Sequence, residues 1–214
     1  MWRNPASKCY SRDMSTPKPK LDFWYEFAST YSYLSAMRIE DCAREAGVEV
    51  RWRPFLLGPF FKSQGWTSSP FVEQKEKGSY MIRDMGRMCA ARGLPFKMPE
   101  PFPQNGLYAA RLALLGEDEG WAGRFTRLVY TEEFTNNMQL DDKIALGECL
   151  TAIGLDGDAY LACSEDAEIK TRLRDQTQQA LALGIFGAPT FICDGGEKFW
   201  GDDRLEQALA WALK

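Results

Sequence analysis

Residues 21–34, LDFWYEFASTYSYL, decide the fold of this chain. Apolar and polar side chains alternate over the first half of the segment, and this period of two predicts a β-strand. One face of the strand comprises Leu21, Phe23, Tyr25 and Phe27, and the other comprises Asp22, Trp24 and Glu26. Helical spacing follows directly over residues 30–47, where Gly47 is suited to end the helix in a left-handed conformation. We therefore predict a strand that leads at once into a single helix.

Two serines, Ser29 and Ser32, stand at this strand-to-helix junction with the spacing of the cysteines in a Cys-x-x-Cys motif. No two of the six cysteines have that spacing, so we predict free thiols and neither a local redox pair nor a zinc site. The absence of histidine excludes Ser-His-Asp and Cys-His catalysis and histidine-ligated metals. Any catalysis therefore depends on Ser, Tyr, Lys or carboxyl side chains, or on a group that a ligand supplies.

The rest of the chain completes an α/β architecture. Alternation resumes in residues 48–57, so the first strand, the helix and this second strand predict a right-handed unit with parallel strands. Helical patterns fill residues 68–183, and two further strands and a terminal helix are predicted at 189–194, 197–200 and 202–214. This order is typical of a thioredoxin-like fold with a large all-helical insertion. We assign residues 20–67 and 184–214 to the thioredoxin-like domain and residues 68–183 to the helical insertion.

Composition limits the partners of the protein. The formal net charge of −4 argues against a phosphate-binding surface, so we expect no nucleic-acid partner. No apolar run approaches the roughly 20 residues that cross a bilayer, and the N-terminal segment lacks the apolar core of a signal peptide. We expect a cytoplasmic protein with no membrane partner and a disordered leader over residues 1–19, in which Met14 is an alternative start to Met1.

Four groups of residues carry a family resemblance. They are FASTYSYL at 27–34, RPFLLGPFFKSQG with EKGSYM at 53–65 and 76–81, GIFGAPTF at 184–191, and FWGDDRLEQAL at 199–209. In this order they resemble the kappa-class glutathione transferases and the bacterial 2-hydroxychromene-2-carboxylate isomerases, which share a DsbA-like thioredoxin fold. The resemblance covers residues 20–214. This sequence departs from the family at Thr30, where proline is usual, and at Trp66 or Thr67, where kappa transferases have an asparagine that contacts glutathione.

Ser29 is the predicted catalytic residue. Its position before a helix is typical of an N-cap, and a side chain there faces the unpaired N–H groups and the positive end of the helix dipole. The resemblance implies that glutathione is the cofactor and that the Ser29 hydroxyl stabilises its thiolate. Ser32, three residues later, is expected at the helix surface or in a secondary polar contact.

The resemblance also implies the residues that bind glutathione. Pro189 follows a cis peptide bond, which leaves the backbone of Ala188 free to pair with the cysteinyl part of the tripeptide. Asp203 is assigned to the γ-glutamyl ammonium, Asp202 with its amide to a carboxylate, and Lys77 to a further contact. Before any resemblance is considered, Asp203 and Glu206 match the capping box of a helix.

A substrate pocket is predicted beside these residues. Lys62, Trp66 and Tyr80 are candidates to line it, because aromatic side chains suit a planar hydrophobic substrate. Asn105 and Arg111 are further candidates on the helical insertion.

Three functions stay open from the sequence. The first is a glutathione-dependent 2-hydroxychromene-2-carboxylate isomerase, in which the borrowed thiolate adds reversibly to an aromatic substrate during aromatic-compound catabolism. The second is a kappa-type transferase that conjugates glutathione to electrophiles or reduces peroxides. The third is a DsbA-fold binding protein without turnover. The sequence does not fix the oligomeric state, and a homodimer is one of the two states that stay open.

Overall fold

The four strands form one mixed sheet in the computed structural model, which describes residues 17–214. They run in the order β2-β1-β3-β4, with bounds β1 Lys20–Tyr25, β2 Glu49–Pro54, β3 Thr190–Cys193 and β4 Lys198–Trp200. Strands β1 and β2 are parallel, β3 is antiparallel to β1, and β4 is antiparallel to β3. The predicted strands are therefore confirmed. The leader predicted for residues 1–19 falls almost entirely outside the described residues.

The first helical segment consists of two helices, α1 Thr30–Ala36 and α2 Ile39–Ala46, so the prediction of a single helix is wrong. The chain turns at Arg38, whose φ of −133° is not helical, and the Arg38 guanidinium contacts the carboxylates of Asp202 and Glu206. Gly47 ends α2 with a φ of 73°, as predicted.

Helices fill the chain between β2 and β3, which confirms an all-helical insertion. They are α3 Gly58–Ser63, α4 Pro70–Glu73, α5 Lys75–Ala91, α6 Leu107–Glu119, α7 Ala122–Asn136, α8 Lys143–Ala152, α9 Gly157–Cys163 and α10 Ala167–Ala182. The first of them starts ahead of residue 68, and the predicted domain boundaries stay predictions. Within residues 17–214, no helix combines the length and the apolar character needed to cross a membrane.

Both faces of the sheet are buried. Phe23 and Tyr25 of β1 pack on one face, where the rings of Phe23 and Phe191 stack at 5.6 Å. Trp24 points to the other face and packs with Ile192 in a second apolar cluster. The alternation in β1 therefore separates two buried layers instead of a core face and a solvent face.

Helix α7 holds the end of β1. The hydroxyls of Tyr25 and Thr126 are hydrogen-bonded at 2.8 Å, and the Tyr130 hydroxyl donates to the carbonyl oxygen of Glu26 at 2.8 Å. These bonds join the insertion directly to the segment that leads into Ser29.

The C-terminal segment begins with a 3₁₀ turn at Asp202–Arg204 and continues as helix α11, Leu205–Ala212. Arg204 precedes α11 without a side-chain cap, so the predicted capping box of Asp203 and Glu206 is wrong. The Glu206 carboxylate accepts hydrogen bonds from Arg38 instead.

Candidate active site

A cleft of about 1320 Å³ opens beside the end of β1 and the loop before β3, with α3 to α5 on its far side. Most of the predicted site residues line it, among them Ser29, Lys62, Trp66, Lys77, Tyr80, Ala188, Pro189, Asp202 and Asp203. Ligand pockets for one small molecule span roughly 300 to 1,000 Å³, so this cleft has room for a tripeptide and a second molecule.

Ser29 joins two sides of the cleft. Its Oγ accepts a hydrogen bond from the backbone N–H of Ser32 at 3.2 Å, which makes Ser29 the N-cap of α1. The same hydroxyl donates to the carbonyl oxygen of Ala188 at 3.0 Å. The cap is therefore formed, and the hydroxyl also faces the loop before β3. Helix α1 begins at Thr30 without the proline usual in the family.

The loop before β3 presents its backbone to the cleft. The Ala188–Pro189 peptide bond is cis, as the resemblance implies. The ring of Trp200 packs against Phe186 with 4.9 Å between centroids, and a Cβ atom at Gly187 would lie 2.6 Å from the indole nitrogen of Trp200. Glycine at this position thus lets the indole close against the loop. The sequence reasoning gave Trp200 no role, although it lies in the FWGDDR motif.

Asp202 has its carboxylate inside the protein. Its side chain is 1% exposed and accepts hydrogen bonds from Ser35 at 2.9 Å and Arg92 at 2.6 Å, with Arg38 at 3.3 Å. Because these partners engage the carboxylate and Arg38 also donates to the backbone carbonyl at 2.8 Å, the backbone N–H of Asp202 is the group left to face a ligand. The predicted contact through its amide stays a prediction.

Asp203 differs from its neighbour, because its carboxylate is exposed at the rim of the cleft. The carboxylate lies 2.9 Å from the guanidinium of Arg204. An exposed pair of this kind is weak, so a ligand ammonium can compete for the carboxylate.

The far wall of the cleft combines aromatic rings and ammonium groups. Trp66 and Tyr80 are exposed, and Lys77 lies with its Nζ 5.9 Å from the centre of the Phe71 ring. Lys62 and Asn105 also line the cleft, as predicted for a substrate pocket.

Arg111, the other candidate on the insertion, does not line the cleft. Its guanidinium lies 3.5 Å from Glu165 and over the ring of Tyr108. Its prediction as a site residue is therefore wrong.

Polar side chains that the sequence did not reveal are buried behind Ser29. Ser32 is 0% exposed, so its expected place at the helix surface is wrong. Glu26 lines the cleft, and burial raises the pKa of its carboxyl to about 8. Glu133 of α7 is 0% exposed, and burial raises its pKa well above the usual range, with the charge of Glu26 adding to the effect. The alternating pattern of β1 gave no signal for this, because it placed Glu26 on a polar face.

The described cysteines are free, as predicted: Cys42, Cys89, Cys149, Cys163 and Cys193. The residues that line the cleft include none of them. Burial raises the pKa of both Cys89 and Cys149 to about 11, so these thiols are neutral at physiological pH. Within residues 17–214, the cleft therefore offers no protein thiol.

A model of the DSBA-like thioredoxin domain family matches residues 20–212. The chain belongs to this family. Among DSBA-like thioredoxin domain proteins, it is 28% identical to a 2-hydroxychromene-2-carboxylate isomerase of Sphingobium xenophagum over 193 residues, which are 90% of this chain and 97% of the relative. It is also 28% identical to a glutathione S-transferase kappa 2 of Caenorhabditis elegans over 208 residues, 86% of this chain and 88% of the relative.

Solved structures confirm the DSBA-like fold. A structure of a 2-hydroxychromene-2-carboxylate isomerase superposes with a TM-score of 0.78 at 24% identity, covering 91% of this chain and 94% of that one. The resemblance carried by the four motifs is therefore confirmed. The relatives are enzymes, as the sequence predicts for this DSBA-like protein.

Proposed function

We propose that this protein is a glutathione-dependent isomerase of the 2-hydroxychromene-2-carboxylate type that acts in aromatic-compound catabolism. The observation that carries the proposal is the hydrogen bond from the Ser29 hydroxyl to the Ala188 carbonyl, in a cleft that none of the described cysteines lines. Dithiol exchange needs two protein thiols, so the lining of the cleft, as described for residues 17–214, supports chemistry with a borrowed sulfur. The relatives named as isomerases support the proposed reaction.

The residues of the cleft fit glutathione. The Asp203 carboxylate at the rim suits the γ-glutamyl ammonium, and the ammonium of Lys77 suits a carboxylate of the tripeptide. The backbone of Ala188, beside a cis proline, suits the cysteinyl amide, and the amide of Asp202 suits a second carboxylate. When bound, glutathione supplies a nucleophilic thiolate that leaves unchanged after each turnover.

Ser29 stabilises the sulfur in this proposal. Its hydroxyl donates to the Ala188 carbonyl. A backbone N–H of bound glutathione would donate to the same carbonyl. Competition for that carbonyl releases the Ser29 hydroxyl to donate to the sulfur. A hydrogen bond to the ionised form and a position at the start of α1 both lower the pKa of a thiol.

The aromatic wall holds the second molecule. Trp66 and Tyr80 offer ring faces to a planar substrate, and Lys62 offers a cation to a carboxylate that the substrate carries. A small aromatic acid is therefore the proposed substrate class.

Calorimetry with reduced glutathione tests the proposal. A matched ligand is ophthalmate, in which a methyl group replaces the thiol: it makes the same backbone and terminal contacts but cannot ionise there. We expect both ligands to bind. The affinity for glutathione should exceed that for ophthalmate increasingly as the pH rises toward the pKa of the glutathione thiol. Failure of both to bind would refute every glutathione-dependent function and leave the non-catalytic binding protein.

A kappa-class transferase is the second candidate, because relatives with that name match most of this chain. Thiol counting during turnover distinguishes the two reactions. An isomerase leaves the glutathione concentration constant, whereas a conjugating or peroxide-reducing transferase consumes it.

We also propose a cytoplasmic location, where free thiols stay reduced, and the free cysteines of the described residues support it. A homodimer is proposed as well, and sedimentation velocity of the full chain tests it.

A further inference from the structure

Glu26 lies in the floor of the cleft, three residues before Ser29. Its backbone carbonyl accepts hydrogen bonds from the N–H of Ser29 at 2.9 Å and from the hydroxyl of Tyr130 at 2.8 Å. Its carboxyl accepts a hydrogen bond from the N–H of Leu57. A Cβ atom on Gly106 would lie 3.8 Å from Glu26 Oε1, so the carboxyl stands next to a backbone without a side chain. The position of Glu26 is thus fixed by the bonds to its backbone carbonyl, by the bond from Leu57 to its carboxyl, and by the adjacent backbone of Gly106.

A second carboxyl lies behind Glu26. Both carboxylate oxygens of Glu133 are buried, and within residues 17–214 neither has a hydrogen-bond partner. Burial raises the pKa of Glu26 to about 8, while the bond from Leu57 acts in the opposite direction. The pKa of Glu133 is raised well above its usual range, first by burial and then by the charge on Glu26. Glu26 therefore ionises first and Glu133 stays neutral.

The other titratable groups around Glu26 come from several elements. Helix α7 contributes Tyr130, whose pKa is raised well above its usual range by burial, with Tyr25, Glu133 and Glu26 adding to the effect. The remaining charged groups that line the cleft are Lys62 in α3, Lys77 and Asp84 in α5, and Asp202, Asp203 and Arg204 after β4. Glu26 is thus a neutral acid at physiological pH in a cleft whose rim is charged.

We infer that Glu26 is the proton donor of the cleft: its carboxyl gives a proton to the substrate and takes it back. The inference rests on the proposed glutathione-dependent function. As the carbon–sulfur bond forms, an electron pair moves onto a substrate atom, and that atom receives the proton from Glu26. When the carbon–sulfur bond breaks, the proton returns to the Glu26 carboxylate, so an isomerisation neither gains nor loses a proton. In an addition without release, the proton of the next thiol restores the acid.

The first test needs no substrate. Infrared spectroscopy in D₂O detects protonated carboxyl groups, and Glu133→Gln removes the other buried acid so that the remaining band reports on Glu26. We expect the protonated-carboxyl band of Glu26 to be present at neutral pH. It should disappear as the pH rises through about 8. Glu26→Gln provides the matched spectrum, in which only the band of Glu133 remains. A Glu26 band that is already lost at pH 6 would overturn the inference.

The second test compares two reactions of glutathione. Addition to methyl vinyl ketone places a proton on the product carbon, whereas substitution on 1-chloro-2,4-dinitrobenzene releases chloride and places no proton on carbon. General acids contribute about 10²- to 10⁴-fold, so Glu26→Gln should slow the enone reaction at least about 100-fold more than the substitution. Glu133→Gln is the control and should leave both rates within about twofold.

The two proposals fail separately. A wild-type protein that binds no glutathione refutes the proposed function, while the infrared titration still decides whether Glu26 holds a proton. A Glu26→Gln protein that binds glutathione and slows both reactions equally refutes the role of Glu26 alone. The glutamine keeps the acceptor for the Leu57 N–H, and circular dichroism verifies its fold.

Discussion

The hydroxyl of Ser29 and the carbonyl of Ala188 meet at 3.0 Å, although 159 positions separate the two residues in the chain. The contact joins the start of α1 to the loop before β3. In a dithiol enzyme of this fold the first position holds a nucleophilic sulfur. Here it holds a hydroxyl, which cannot form a catalytic disulfide.

Replacing Ser29 by alanine tests the stabilisation of the thiolate. A hydrogen bond to a charged group contributes about 1.5 to 3 kcal/mol, so the pKa of the bound thiol should rise by about 1 to 2 units. Turnover at neutral pH should fall about 10- to 100-fold and recover partly at alkaline pH. Ultraviolet titration of the bound thiolate measures the shift.

Ser32→Ala is the matched control, because it removes the other serine of the motif and leaves the Ser29 hydroxyl in place. A thiol that titrates at the same pH in Ser29→Ala as in wild type would leave Ser29 with its N-cap role alone. That role predicts a stability loss of about 1 kcal/mol.

Asp203→Asn separates ligand binding from stability. The capping box does not form, so the melting temperature should stay within about 1 to 2 °C of wild type. Glutathione affinity should fall about 3- to 10-fold through loss of the ionic contact to the ammonium. Equal dissociation constants in the two proteins, measured by calorimetry, would remove Asp203 from the site.

Asp202→Asn should show the opposite pattern. The buried carboxylate has Arg38 and Arg92 as partners, and removing one member of such a group costs about 3 to 5 kcal/mol. Urea unfolding measures the loss. A stable variant with weakened glutathione affinity would contradict a structural role for this carboxylate.

Glu26 should make the stability of the protein depend on pH. Its pKa is about 8 in the folded protein against an ordinary 4.5, so between these values unfolding releases a proton and rising pH favours the unfolded state. Stability relative to Glu26→Gln should be greatest below pH 4.5, fall by about 5 kcal/mol up to pH 8, and then level off. Denaturant titrations of both proteins across that range measure the difference, and parallel curves would contradict it.

Local patterns in the sequence predicted the strands and the insertion well. Alternation in β1 and the breaks at Gly47 and at the Ala188–Pro189 bond are properties of neighbouring residues, which is why they were visible. The family resemblance assigned Ser29 and Ala188 to the same ligand, but the hydrogen bond between them was not predicted.

What the sequence hid depends on distant partners. Arg38 breaks the first helical segment in contact with Asp202, 164 positions away, and no local pattern reports such a contact. Alternation in β1 placed Glu26 with Asp22 and Trp24 without telling what covers that face of the strand. In the structure Trp24 is buried on this face, and Glu26 is partly buried where it lines the cleft.

The bonds from α7 to the end of β1 also bear on how this protein can diversify. Tyr130 and Thr126 hold the strand that positions Ser29, and the ring of Tyr130 packs on Phe27. A chain trimmed to the thioredoxin-like segments would therefore lose the contacts that support the turn before Ser29. In the proposed function, exchanges along α3 to α5 would change the substrate, whereas α7 would have to be inherited together with the sheet.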